Sequence, residues 1–294
     1  MLEFKKPEIK DKEWVDALLK NSSKGCEFCF GNIFIWADVY KTEISAFNNT
    51  LVIRYLVDGE YSYVLSNYDN IRELISELKD DAKKHNQSLL LYGLLNSEKD
   101  LLEKEFPSSF VFTEMREFCD YVYKSEDLIN LSGRKYHQKR NHISYLKNNS
   151  VWQYERINET NIEECRIFNS KWESHNENKN PEELSDENKA IQKALDNFTA
   201  LGFTGGLLRV NGRIEAYTLG EPLSDEMFCT HIEKANADLR GAYTLINQQF
   251  AEKELSSYKY IDREEDAGSE GLRKAKLSYH PEFLIDSILA RYIK

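Results

Sequence analysis

No stretch of this chain approaches the roughly 18 consecutive apolar residues that a membrane-spanning helix needs. Its longest apolar run, residues 89–95, is strand-sized. The N-terminus, Met1-Leu2-Glu3-Phe4-Lys5-Lys6, lacks the apolar segment of a secretory signal. Together these absences predict a soluble, cytoplasmic protein without an integral membrane segment. Cysteine is scarce: the chain has 5 in 294 residues, an odd number that excludes a disulfide framework. Cys26 and Cys29 form one C-x-x-C, but no second close pair and no spaced histidine pair follows. A structural zinc site needs four ligands, so no metal is expected and two reduced thiols are the reading. Positive charge is also in deficit, with 39 Lys+Arg against 50 Asp+Glu and a net charge of −11. Such a chain does not coat DNA or anionic lipid with its whole surface, and any polyanion must meet a local basic patch.

What is present is ample core material, 41% hydrophobic and 12% aromatic, which excludes wholesale disorder. At roughly 150 residues per domain, the length suggests two domains. Apolar residues at helical spacing predict helices at residues 11–20, 32–40, 68–86 and 97–105. Strands are expected at residues 43–47, 51–57, 61–66, 88–92 and 117–123, with Asp58-Gly59 as a hairpin turn. The second half repeats the order. A strand at residues 151–157 leads to helices at 161–175 and 187–201. Three strands follow at 204–210, 213–221 and 225–233, the first two joined by Asn211-Gly212. A helix at 241–255, a strand at 258–261 and a last element through 283–293 close the chain.

Both halves read helix, helix, three antiparallel strands, helix, strand, which is the core order of the acetyltransferase (GNAT) fold. The expected class is therefore α+β, a tandem duplication of a GNAT-like fold. Each half is a mixed, mainly antiparallel sheet flanked by helices. Residues 1–127 form the first domain, 128–150 a basic linker helix, and 151–294 a C-terminal domain carrying the site.

In this architecture the fourth and fifth strands splay apart, and the helix after the fourth strand points its N-terminus at the donor. Free N–H groups and the helix dipole attract anions there. Arg240 and Gly241 stand at that helix start and Tyr243 follows. The usual acyl-CoA loop has Arg or Gln where Asp238 stands here, and a small residue in place of Tyr243. A solvated arginine at a helix start is the competing reading. Strict alternation puts His231 and Glu233 on one face near the end of the fourth strand, where either could take a proton from an attacking amine or hydroxyl. A polar pair satisfied within the fold is the alternative.

The densest cluster, residues 262–276, holds five acids and four bases with two glycines inside the charge run. Asp262, Glu264 and Asp266 are candidates to orient an amine, and Arg263, Arg273, Lys274 and Lys276 to bind substrate or phosphate. In the linker, Lys135, Lys139, Arg140 and His142 occur without an acid among them. Lys135, Lys139 and His142 fall within roughly 60° of one another on a helix, a seat for phosphate or a face bridging to acidic neighbours. Lys234 and Asn247 complete the candidate binding residues.

The run Asp262-Arg263-Glu264-Glu265-Asp266-Ala267-Gly268-Ser269-Glu270-Gly271, continuing through Leu277-Ser278-Tyr279-His280-Pro281, resembles the signature of a bacterial family. That family is grouped with the C-terminal catalytic domain of phosphatidylglycerol lysyltransferases. Gly133-Arg134-Lys135-Tyr136-His137, His231-Ile232-Glu233-Lys234-Ala235 and Gly241-Ala242-Tyr243-Thr244-Leu245-Ile246-Asn247 extend the likeness. Phe30-Gly31-Asn32 and Asp120-Tyr121-Val122-Tyr123 carry it into the first half. The resemblance implies tandem GNAT-like folds related to Fem-type peptidyltransferases, which move an aminoacyl group from charged tRNA to a lipid head group or peptide. The expected function is acyl or aminoacyl transfer to an amine or hydroxyl acceptor. The donor would be aminoacyl-tRNA or acyl-CoA, the acceptor a small molecule, lipid or peptide, and no cofactor is assigned. Acetyl-CoA-dependent N-acetylation and a non-catalytic ligand- or RNA-binding module are the alternatives.

Overall fold

The computed structural model describes residues 2–20, 24–176 and 181–294. The strands are β1 (Glu43–Phe47), β2 (Thr50–Val57), β3 (Glu60–Leu65), β4 (Leu90–Leu94), β5 (Phe110–Glu114) and β6 (Asp120–Lys124). After them come β7 (Trp152–Arg156), β8 (Thr204–Val210), β9 (Arg213–Pro222), β10 (Met227–Ala235), β11 (Tyr260–Asp262), β12 (Phe283–Ile285) and β13 (Ile288–Tyr292). The helices are α1 (Lys12–Leu19), α2 (Phe30–Ile35), α3 (Ile71–Lys84), α4 (Asn96–Glu105), α5 (Ser125–Asn130) and α6 (His137–Asn149). Then follow α7 (Ile162–Asn176), α8 (Pro181–Asp196), α9 (Phe198–Leu201), α10 (Ala242–Lys253) and α11 (Glu270–Leu277). Among the described residues no helix is long and apolar enough to cross a membrane.

Both Asn/Asp-Gly turns act as hairpins. Asp58 and Gly59 have φ of 51° and 82°, and Asn211 and Gly212 have 50° and 80°. Two successive positive φ values match the twist of paired antiparallel strands. They set the registers Val57↔Glu60 and Val210↔Arg213.

The chain divides into two units: residues 1–120, 265–270 and 284–294, and residues 121–264 and 271–283. Each has one sheet. The first runs β1-β2-β3-β4-β13-β5 and the second β12-β6-β11-β10-β9-β8-β7. The units are thus not the contiguous stretches 1–127 and 151–294. Strand β13, from the end of the chain, inserts between β4 and β5, while β6 joins β11 in the second sheet. Hydrogen-bond partners rather than chain order decide where a short strand belongs. In the first unit the α3 stripe Ile71, Leu74, Ile75 and Leu78 packs on Val52, Tyr63, Leu91 and Ile288. Each such side chain contributes on the order of 1.5–3 kcal/mol of burial. In the second unit α10 packs across β8, β9 and β10, with Phe250 against Phe228.

Candidate functional site

The site begins where two strands part. β10 and β11 are parallel and share only three register pairs, Met227↔Tyr260, Phe228↔Ile261 and Cys229↔Asp262. β11 then ends, while β10 continues to Ala235 paired with β9 alone. From Thr230 onward β10 therefore has no β11 partner.

Alternation along β10 does not survive this region. Thr230 pairs with Gly220 and Ile232 with Leu219, leaving His231 as one extra residue. A bulge of this kind shifts every later side chain to the opposite face. Glu233 then shares a face with Phe228 and points toward α10, and Lys234 takes the other face. The expectation that His231 and Glu233 point the same way is corrected by this one inserted residue.

Glu233 is gripped from two sides. One carboxylate oxygen accepts from Arg263 Nη2 at 2.8 Å and the other from Asn247 Nδ2 at 3.1 Å. Glu233 and Arg263 are each only 13% exposed at the side chain, and Asn247 is 6% exposed. Arg263 Nη1 and Asn247 Oδ1 are buried without a hydrogen-bond partner. A buried, unpaired donor or acceptor costs about 1–3 kcal/mol. Here one of each stands beside a carboxylate, which is a layout for a ligand carrying both donor and acceptor. Arg263 also lies over the rings of Tyr279 and Tyr123, at 4.9 and 5.7 Å. Tyr279 is driven up to about 12 by burial.

The cationic wall comes from α6. Lys139 Nζ donates to Ser278 Oγ at 2.7 Å and lies 3.6 Å from the centre of the Tyr279 ring. Burial and the nearby Arg263 guanidinium press Lys139 down to about 8, against the pull of Glu233. His142 is lowered by burial and by the positive charges of Arg240 and Lys139. Arg240 stacks on Tyr145 at 4.8 Å. Gly241, at the start of α10, has φ of +97°, and a Cβ there would lie 2.4 Å from the His142 carbonyl oxygen. That glycine is required because the helix start docks directly on α6. Tyr243 sits on the exposed side of the first turn of α10.

Other predicted residues have structural engagements. His231 is 1% exposed at the side chain, with Nδ1 2.7 Å from Glu264 and Nε2 3.1 Å from Glu221. With both ring nitrogens held by carboxylates, it presents no open nitrogen to a substrate. Asp262 is fully buried and accepts from the Glu264 backbone N–H at 2.8 Å. Lys234 pairs with Glu187 at 2.6 Å and lies over Trp172. Lys276 donates to the Arg263 carbonyl and, at 2.9 Å, to that of Glu264, fixing the loop that carries Arg263. Arg140 binds the carbonyls of Leu131 and Gly133, and Lys135 pairs with Asp127 at 3.4 Å. The basic stripe of α6 thus splits, with Lys139 and His142 in the site while Lys135 and Arg140 serve the fold. Arg273 and Lys274 lie on α11, Lys274 exposed. Asp266 belongs to the first unit, where it lies 3.5 Å from Arg116 and accepts from the Gly268 N–H at 3.0 Å. Sequence reasoning did not single out Ser278, Tyr279 or Tyr123, although Ser278 and Tyr279 stand inside the long motif.

All five cysteines are buried and stand as thiols rather than in disulfides. In the first unit, Cys26 Sγ lies 3.5 Å from Asp120 and 3.7 Å from Glu265. The three ligand atoms are within 4.8 Å of one another. Thiol and carboxylate donors so arranged are of the type that hold a divalent cation. Those carboxylates are 94 and 239 residues away from Cys26 in sequence, so the C-x-x-C spacing gave no sign of them.

A family model described as phosphatidylglycerol lysyltransferase, C-terminal, matches residues 20–291. The chain belongs to this family. A conserved protein of unknown function from Bacteroides thetaiotaomicron VPI-5482 is 36% identical and superposes with a TM-score of 0.94 over 100% of both chains. L-PGS from Bacillus licheniformis superposes with a TM-score of 0.66 at 13% identity, over 96% of this chain and 92% of that one. A tandem GNAT protein from the clavulanic acid biosynthesis pathway superposes with a TM-score of 0.52 at 9% identity, over 99% and 98% of the two chains. At such identities these last two likenesses speak for the fold, a tandem GNAT-like arrangement as the element order predicts. An uncharacterized protein of Mycoplasmoides gallisepticum is 27% identical over 187 residues, 59% of this chain and 56% of that protein. The chain thus spans about half the length of that curated relative.

Proposed function

We propose that the second unit transfers an acyl or aminoacyl group from an activated ester to an amine, at the point where β10 and β11 part. Membership of a family described by lysyl transfer to phosphatidylglycerol supports the reaction class. The observation that carries the reading is the unfinished hydrogen bonding around Glu233. Arg263 Nη1 offers a buried donor and Asn247 Oδ1 a buried acceptor on either side of that carboxylate. An acyl carbonyl takes the donor, and a protonated amine takes the acceptor and the carboxylate. An activated ester needs little more than this positioning, because holding the reactants together removes much of the entropic barrier. Charge developing on the carbonyl oxygen meets a guanidinium already in place. Arg240, together with Lys139 in its ammonium form, supplies positive charge for a phosphate of the donor, and His142 beside them offers a neutral ring. The loop before α10 departs from the acyl-CoA pattern at Asp238 and Tyr243, which favours aminoacyl-tRNA as donor.

The test uses the full chain with tRNA charged with labelled lysine or alanine. Label is followed into phosphatidylglycerol vesicles, a lysine-containing peptide and small amines. Transfer to at least one acceptor is expected, falling by roughly 100-fold or more in Glu233→Gln, as for loss of one electrostatic contact to the reacting centre. No transfer from either tRNA, turnover with acetyl-CoA alone, or an unaffected Glu233→Gln would each contradict it.

A further inference from the structure

In the second unit a hydroxyl and an amine meet directly, Ser278 Oγ lying 2.7 Å from Lys139 Nζ. Ser278 is fixed from several directions. It follows the last turn of α11, and its hydroxyl also reaches the Ala275 carbonyl at 2.5 Å. Tyr136 donates to the neighbouring Tyr279 carbonyl at 2.8 Å and Tyr123 to that of Lys276 at 2.8 Å. A side chain held this way keeps its geometry through a reaction. Lys139 faces Arg263 from the loop after β11, Glu233 from β10, Ser278 and Tyr279 from the end of α11, and His142 on its own helix. Arg263, whose Nη1 is buried and unpaired, lies over the same Tyr279 ring as Lys139. Hydroxyl, amine and unused guanidinium donor therefore surround one aromatic side chain.

We propose that Ser278 and Lys139 form a nucleophile–base pair that accepts the acyl group as an ester on Ser278 before it passes to the acceptor. This deepens the transferase reading and rests on it for the acyl donor. In the first step neutral Lys139 takes the Ser278 hydroxyl proton as Oγ bonds to the acyl carbon, and Arg263 Nη1 faces the resulting oxyanion. The bond from acyl carbon to donor oxygen breaks, and the departing alkoxide takes that proton back from Lys139. In the second step an acceptor amine attacks the acyl-Ser278 carbon. It loses one proton to Lys139, which returns it to Oγ as the Oγ–carbon bond breaks. No oxidant or further reactant is needed. The ammonium form of Lys139 donates to Ser278 Oγ, while the Ser278 hydroxyl donates to the Ala275 carbonyl. Loss of the ammonium charge frees Nζ to receive that proton. Burial and Arg263, which hold Lys139 down to about 8, put this change in an accessible range.

The experiment treats the full chain with a fluorophosphonate and, separately, with p-nitrophenyl acetate, and locates the adduct by peptide mass spectrometry. Labelling of Ser278 is expected, with a rate that rises with pH through about 8. It should vanish in Ser278→Ala and fall by roughly 100-fold or more in Lys139→Arg, which keeps the charge but cannot serve as base at these pH values. Absence of label at Ser278, or an unchanged rate in Lys139→Arg, overturns the pair. Charged-tRNA transfer by Ser278→Ala at the wild-type rate overturns it too while leaving the transferase reading intact. Ser278 labelling in a chain that transfers from no charged tRNA supports the pair and removes the transferase reading.

Discussion

Each unit holds a largely buried arginine, and the two are treated differently. In the first unit Arg54 of β2 is satisfied by its own fold. Nη1 donates to Asp81 at 2.6 Å, while Nε at 3.1 Å and Nη2 both reach Glu43. Tyr63 adds a hydrogen bond to the same Asp81 at 2.8 Å, and the guanidinium lies over Phe4 and Tyr61. In the second unit Arg263 has its Glu233 bond yet keeps Nη1 idle, and Asn247 keeps Oδ1 idle beside it. A closed polar network rigidifies a core, whereas an open one has a cost that a bound ligand can remove. The parallel strand pairs themselves do not make this difference: β3 and β4 share one register pair, Tyr63↔Leu91, against three for β10 and β11.

Substitutions should separate the two networks. The largest effect is expected from Asp81→Ala, which strips a 7%-exposed partner from an 8%-exposed guanidinium. Breaking such a pair costs about 3–5 kcal/mol, read as a lowered denaturation midpoint. Gly241→Ala comes next. It forces a side chain into φ of +97° and to 2.4 Å from the His142 carbonyl, so about 1–3 kcal/mol of backbone strain should appear as lost stability. Glu233→Gln keeps the side-chain shape but has only one oxygen to accept from Arg263 and Asn247, so about 1–3 kcal/mol should be lost, while transfer collapses. Equal stability losses in Asp81→Ala and Glu233→Gln would erase the distinction.

Lys139 gives a smaller, pH-dependent effect. Its folded value of about 8 lies below the ordinary 10.5, so the unfolded chain binds the extra proton between those limits. Stability due to this group therefore rises with pH across the window, and its cost is fully present below about 8. The melting temperature of Lys139→Met relative to wild type should accordingly be most favourable near pH 7 and lose that advantage toward pH 10. Smallest of all, Lys135→Ala should change stability by no more than about 0.5 kcal/mol, because the pair with Asp127 is partly exposed at 3.4 Å.

Much of the fold was readable from residues. Asp58-Gly59 and Asn211-Gly212 announce hairpins because few other sequences tolerate two positive φ values in succession. The stripe Ile71, Leu74, Ile75 and Leu78 announces the buried face of α3. Pairing was not readable. β11 and β12 have three residues each, too few for a periodic signal, and nothing in the alternation of β13 says which sheet it joins. The site was half legible. Glu233, Arg263 and Lys139 stand in motifs, but the bulge at His231 has no compositional mark, so strict alternation does not give the faces of β10 beyond it. Ser278 and Lys139 are 139 residues apart, a closeness that only the tertiary fold creates.

The central claim is that the open network around Glu233 receives an aminoacyl group. The most direct measurement follows the side-chain amide signal of Asn247 by nuclear magnetic resonance while lysine amide or alanine methyl ester is added. The account predicts saturable shifts at Asn247 and at the Arg263 guanidinium, both abolished in Glu233→Gln. Signals there that stay fixed at every concentration, with any shifts confined to residues around Arg54, would contradict it.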